Sequence, residues 1–124
     1  MASKTVWTGR VLSWLSGVFI LTSGLNVLFV RSEDLRKGFE SFGYPEAAMP
    51  IIGVAAFLSS ALYLIPRTAV LGAILMTAYL GGAVATHVRI LDPTGFVAPV
   101  VGIIVWLGLY LQDERLRALL PLRR

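Results

Sequence analysis

Residues 66–89 read PRTAVLGAILMTAYLGGAVATHVR. Between Arg67 and Arg89 there is no Asp, Glu, Lys or Arg, so the uncharged run from Thr68 to Val88 is 21 residues long. At 1.5 Å per residue a helix of that length rises about 31 Å, which matches the hydrocarbon core of a bilayer. Reading outward, the run from Ala47 to Ile65 stops at Pro66-Arg67, so two apolar runs are joined by only two residues. Pro66 has no backbone donor and breaks the helix, and Arg67 anchors the turn among headgroups. That is a tight antiparallel helical hairpin. Two further runs flank it: Val11 to Val30, and Gly95 to Leu111, the latter ending at Gln112-Asp113-Glu114. The sequence therefore predicts an all-α membrane protein, an antiparallel four-transmembrane-helix bundle forming one domain over residues 1–124. Four such runs leave no polar faces to cover a large soluble core.

Composition agrees. Apolar residues make up 56% of the 124 and charged ones 15%, where soluble domains carry roughly 25% charged residues. There are 11 Lys and Arg against 7 Asp and Glu, a formal net charge of +4, clustered between the apolar runs. With no cysteine, disulfides, thiol redox chemistry, Cys-bound metal and iron–sulfur clusters are excluded within this chain. A single histidine excludes a bis-His site in one subunit. No metal-ligand spacing, nucleophile–base pair, phosphate-binding glycine loop or nucleic-acid patch occurs, so no cofactor is expected within the chain and no nucleic-acid partner. A secretory signal has an apolar stretch of roughly 7–15 residues and a small-residue cleavage site. The run Val11–Val30 is longer and ends in Arg31-Ser32-Glu33-Asp34, and a retained span is expected.

Basic residues set the expected orientation. Lys4, Arg10, Arg67, Arg115, Arg117, Arg123 and Arg124 fall on one side, and Arg31, Arg36, Lys37 and Arg89 on the other. Both termini are predicted to be cytoplasmic, with Leu116–Leu122 either a short basic amphipathic tail on the anionic inner leaflet or the frayed end of the last helix.

Between lipid-embedded helices the hydrophobic drive vanishes and small residues allow close packing. Ala69, Ala73, Thr77, Gly81 and Ala85 recur every four residues and are read as one packing face. Gly17 and Gly24 play that part in the first run, with Ser13 nearby, and Gly53 and Ser60 in the second. The segment Ser32–Phe42 places Leu35, Phe39 and Phe42 at helical spacing among charges. It is expected to be an amphipathic helix on the outer interface, or more sharply a lid over a site there.

Candidate chemistry gathers at that outer end: Asn26, Tyr79, Thr86, His87 and Arg89, with Tyr44, Glu46 and Asp92 at similar depth. Polar groups at bundle depth usually face the interior. A histidine can exchange a proton near neutral pH, and Arg89 can hold an anion or a quinone carbonyl. The plainer alternative is that His87 caps the helix and Arg89 reaches to the headgroups.

Several stretches carry a family resemblance: Ser23-Gly24-Leu25, Gly43-Tyr44-Pro45, Leu62 to Arg67, Leu71-Gly72-Ala73-Ile74-Leu75 and, most specifically, Tyr79-Leu80-Gly81-Gly82-Ala83-Val84-Ala85-Thr86-His87-Val88-Arg89. With Gly108-Leu109-Tyr110-Leu111 and Arg115 to Pro121, these resemble the DoxX-like membrane proteins of bacteria over nearly the whole chain. The resemblance implies a four-helix protein of the bacterial inner membrane. The family takes its name from a small subunit of a terminal quinol oxidase, and other relatives are linked to membrane oxidoreductase assemblies. This chain has Ser23 and Val27 near where relatives often carry an acid and a lysine, and Ala56 near where many carry a glutamate. The function expected is an accessory or structural subunit of a membrane oxidoreductase or quinol-linked complex, with no intrinsic activity. Its expected contacts are membrane lipids, oxidoreductase subunits, a further copy of itself, and a quinone or lipid bound non-covalently. A stand-alone membrane enzyme on a lipid-like substrate and an oligomeric small-solute transporter are the alternatives.

Overall fold

A computed structural model describes residues 3–123. It is all-helical, with no strand among the described residues. Helix α1 spans Lys4–Leu25 and starts at Ser3, whose hydroxyl accepts from the Val6 amide at 3.2 Å. It runs on into a π-helical turn, Asn26–Val30, and stops where Arg31 takes a left-handed conformation (φ 47°). Helix α2 is Glu33–Ser41, capped by the Ser32 hydroxyl and opened by Glu33 and Asp34, whose charges suit a helix N-terminus. Helix α3 spans Ala48–Leu64, α4 Ala69–Arg89 and α5 Val97–Gln112. Short 3₁₀ turns over Pro66–Thr68 and Pro93–Phe96 join them. The chain closes with α6, Glu114–Leu119, capped by Asp113.

Among the described residues, three helical stretches are long and apolar enough to cross a membrane: Lys4–Val30, Pro66–Arg89 and Pro93–Gln112. Helix α3 is apolar but has 17 residues, just short of that length. Helix α1 packs on α3 and α5, α3 on α4, and α4 on α5. Neighbours run antiparallel. Gly9 near the start of α1 abuts Gly108 near the end of α5, and Gly24 near the end of α1 lies against Gly53 and Phe57 of α3.

The helices meet through residues without side-chain bulk. A Cβ on Gly24 would stand 2.9 Å from the Phe57 amide nitrogen, and one on Gly72 would collide with the backbone of Leu62 and Tyr63. Gly17 receives Leu64 and Tyr63. On α4 the buried stripe is Ala69, Ala73, Met76 and Leu80, joined by Gly72. The four-residue ladder read from the sequence divides here. Ala69 and Ala73 are buried, Thr77 is at the edge, and Gly81 and Ala85 face outward, with nothing within 4 Å of a Cβ on Gly81. A step of four residues advances about 40° beyond a full turn, so the ladder has rotated about 160° by Ala85. A face held over several turns alternates steps of three and four, as the buried stripe does.

At the end where α1 begins and α5 stops, the buried polar groups satisfy one another. The Tyr63 hydroxyl donates to the Val105 carbonyl at 2.7 Å and lies 2.9 Å from the Ser13 hydroxyl. The Gln112 amide donates to both Ser13 Oγ and the Gly108 carbonyl at 2.9 Å. Ser16, Ser59 and Ser60 bond back to carbonyls of their own helices. Leu116 of α6, at the start of the expected basic tail, is buried in the core.

Candidate functional site

The opposite end is built differently, beginning with the turn after α2. Gly43 adopts φ 86°, a region open to glycine at no steric cost. Its amide bonds to the Glu40 carbonyl at 2.9 Å and that of Tyr44 to the Phe39 carbonyl at 3.1 Å, a Schellman closure of the helix. The apolar contact that accompanies such a closure is Phe39 against Tyr44, ring centres 5.9 Å apart. The turn thereby aims the Tyr44 phenol at α4, where it meets Thr86 Oγ1 at 2.7 Å. Thr86 also donates to the Gly82 carbonyl at 2.9 Å. A hydroxyl has one proton, so Tyr44 is the donor in the pair and Thr86 the acceptor.

Helix α2 is held over the end of the bundle by Phe42, whose ring centre lies 4.7 Å from that of His87. Arg36 bridges to Glu46 at 2.9 Å, tying α2 to the start of α3. None of its residues is buried. Beneath it lies a cleft of about 450 Å³. Leu35, Phe39 and Phe42 form its roof, Ile51, Ile52 and Ala55 of α3 one wall, and α4 the other, from Ala78 to His87. The lining is mostly apolar, and its polar groups are few: the Tyr44–Thr86 pair, Tyr79, His87 and, at the mouth, Asp34. An apolar body with a few polar groups is the general make-up of a small-molecule pocket.

His87 Nδ1 lies 2.7 Å from the Ala83 carbonyl. A carbonyl can only accept, so Nδ1 carries a proton, and the neutral ring then presents Nε2 as an acceptor. The cleft can thus offer a hydroxyl oxygen and a ring nitrogen to a ligand. The lining has one imidazole and two phenols.

Of the five candidate residues, the structure brings Tyr79, Thr86 and His87 together in this lining. Asn26 and Arg89 stand elsewhere. Asn26 is exposed at the end of α1, where its carbonyl accepts from the Arg31 amide at 2.9 Å. Arg89 is exposed, and its guanidinium covers Gly43, 3.2 Å from where a Cβ would be. Asp92, the acid nearest in sequence, is engaged in its own turn. It caps the Pro93–Phe96 turn through the Thr94 amide and hydroxyl, and the amide bond foremost holds its carboxyl below the usual carboxylate range. Sequence reasoning placed Tyr44 at this depth without giving it a role. The signal for that role is Gly43, since a glycine after an amphipathic helix marks the closure that orients the next residue.

No curated protein and no solved structure matches the chain. A family model does match, that of the DoxX-like family, over residues 11–109. This interval takes in most of α1, the whole roofed cleft and most of α5. With its apolar helices and that match, the chain is a membrane protein that belongs to the DoxX-like family.

Proposed function

We propose that this protein binds a quinone- or lipid-like amphiphile in the cleft under α2 and serves, without chemistry of its own, as an accessory subunit of a membrane oxidoreductase. In this reading α3 is the fourth span, both termini are cytoplasmic, and the membrane is the bacterial inner membrane. At 17 residues α3 rises about 26 Å, a mismatch with the hydrocarbon core that local thinning of the bilayer absorbs. The excess of basic residues at the end carrying both termini supports the orientation.

The observation that carries the proposal is the cleft itself: about 450 Å³, nearly all apolar, with the Tyr44–Thr86 pair and His87 on one wall. An aromatic head with carbonyl or hydroxyl oxygens fits such a site, and its tail can leave toward lipid. General acid–base catalysis needs a placed acid and base within reach of the reacting atoms. One imidazole bonded to its own helix supports binding better than turnover.

The protein should be extracted from its native membrane into nanodiscs and examined by native mass spectrometry. Stoichiometric oxidoreductase subunits with a retained isoprenoid quinone or lipid are expected. A lone chain would sink the accessory role. Retention unaltered by Gly82→Leu, which fills the cleft, would sink the binding site.

A further inference from the structure

The end of the molecule bearing both termini holds a second and larger opening, about 900 Å³, between α1, the Pro66–Thr68 turn and the α5–α6 junction. Three arginines line it, Arg10, Arg67 and Arg115, along with two acids, Asp113 and Glu114. The acids are already engaged. Asp113 takes Arg115 in a two-pronged pair at 3.0 and 3.1 Å, and Glu114 lies 3.9 Å from Arg117. Among the described residues neither Arg10 nor Arg67 has a carboxylate within 4 Å. Arg10 is held over the Trp7 ring, 5.2 Å from its centre. The opening thus carries two uncompensated guanidinium groups from two separate elements.

Its floor adds a second condition. The polar groups there, Ser13, Tyr63 and Gln112, are bonded among themselves and to carbonyls. Recognition therefore rests on the rim arginines and on apolar surface, which Trp14, Val70 and Leu71 provide at 40–50% exposure. A guanidinium matches the oxygens of a phosphate through paired N–H donors. Cationic groups above exposed apolar wall suit an anion whose attached chains are apolar.

We infer that this opening is a phosphate-anion site read by Arg10 and Arg67, with the phosphodiester of an anionic phospholipid as one source and free phosphate as the other. It lies at the opposite end from the α2 cleft and is independent of the function proposed there.

The test is native mass spectrometry of the purified full-length chain titrated with phosphatidylglycerol or phosphatidylcholine, with and without inorganic phosphate. Each guanidinium in the opening offers the phosphate a charge-assisted pair of N–H donors, so losing two should weaken binding by about tenfold or more. The Arg10→Gln/Arg67→Gln variant is expected to lose that much phosphatidylglycerol affinity and little phosphatidylcholine affinity. Lys4→Gln/Arg123→Gln, an equal loss of charge outside the opening, should stay within about twofold of the original. Arg10→Lys/Arg67→Lys keeps the charge but not the paired donors and should recover part of the binding, which separates recognition from misfolding. Displacement of the lipid by millimolar phosphate would identify the free anion as sufficient, and persistence would identify the lipid; both support a phosphate site. Unchanged binding in the Gln pair, or an equal loss in the Lys4/Arg123 pair, would overturn it.

Discussion

The two ends of this bundle use the same residue types to opposite effect. Where α1 starts and α5 stops, glycine brings backbones together: Gly9 meets Gly108, and Gly72 meets Tyr63. Serine, tyrosine and glutamine fill the remaining space with mutual hydrogen bonds. Under α2, glycine leaves room instead. A Cβ on Gly82 would find nothing within 4 Å, and the nearby tyrosine and threonine hydroxyls border a cavity. Glycine is thus a packing residue where a helix approaches and a cavity-forming residue where none does. In lipid, where close contact and hydrogen bonds replace the hydrophobic drive, the first end supplies cohesion and the second leaves a cavity.

The sharpest way to break this contrast is to put bulk at each glycine. Gly72→Leu drives a side chain into the Leu62–Tyr63 backbone and should cost about 3 kcal/mol or more, read by denaturant unfolding in micelles. Gly82→Leu should leave unfolding within about 0.5 kcal/mol of the original, because open space receives the side chain. It should nonetheless reduce quinone-analogue retention about tenfold, a loss of about 1.4 kcal/mol. Equal unfolding losses in the two variants would erase the distinction. Tyr63→Phe removes a donor from the Val105 carbonyl and should cost about 1 kcal/mol in the same unfolding measurement, the scale of interhelical bonds in membranes. Leu91, 86% exposed, holds a left-handed φ of 54° in the closure after α4, so Leu91→Gly should raise stability by roughly 0.5–1 kcal/mol.

The smallest effect concerns Asp113. Its bond to the Arg115 side chain holds its carboxyl below the ordinary 3.8. A carboxyl depressed in the folded state stabilises the fold at pH values above its unfolded pKa, and that contribution fades as pH falls through the folded value. Carboxyl-carbon NMR should find the midpoint below 3.8, and Arg115→Gln should bring it back up.

Much of this architecture was legible in the sequence because a few residues are decisive. Pro66-Arg67 forces a turn between two apolar runs, and the spacing of Leu35, Phe39 and Phe42 among charges specifies α2. Registration between helices was not legible. Small residues on α4 recur at several spacings, and only the positions of α3 and α5 decide that Gly72 is enclosed and Gly81 is open. The candidate site shows the same limit. Depth along the helix grouped Asn26, Tyr79, Thr86, His87 and Arg89, but azimuth separates them. The π-turn leaves Asn26 exposed, and the closure at Gly43 draws Arg89 onto the α2–α3 corner.

Helix α2 has no buried residue and is bounded by two left-handed residues, Arg31 and Gly43. With the nine-residue helix between two such pivots, the segment could swing as a flap without disturbing the four long helices. Its amide protons would then exchange with solvent at the free energy of a local excursion, well before those of the core. Access to the cleft would be governed by the fluctuation of that one segment, and an occupant touching Phe39 and Phe42 would quiet it.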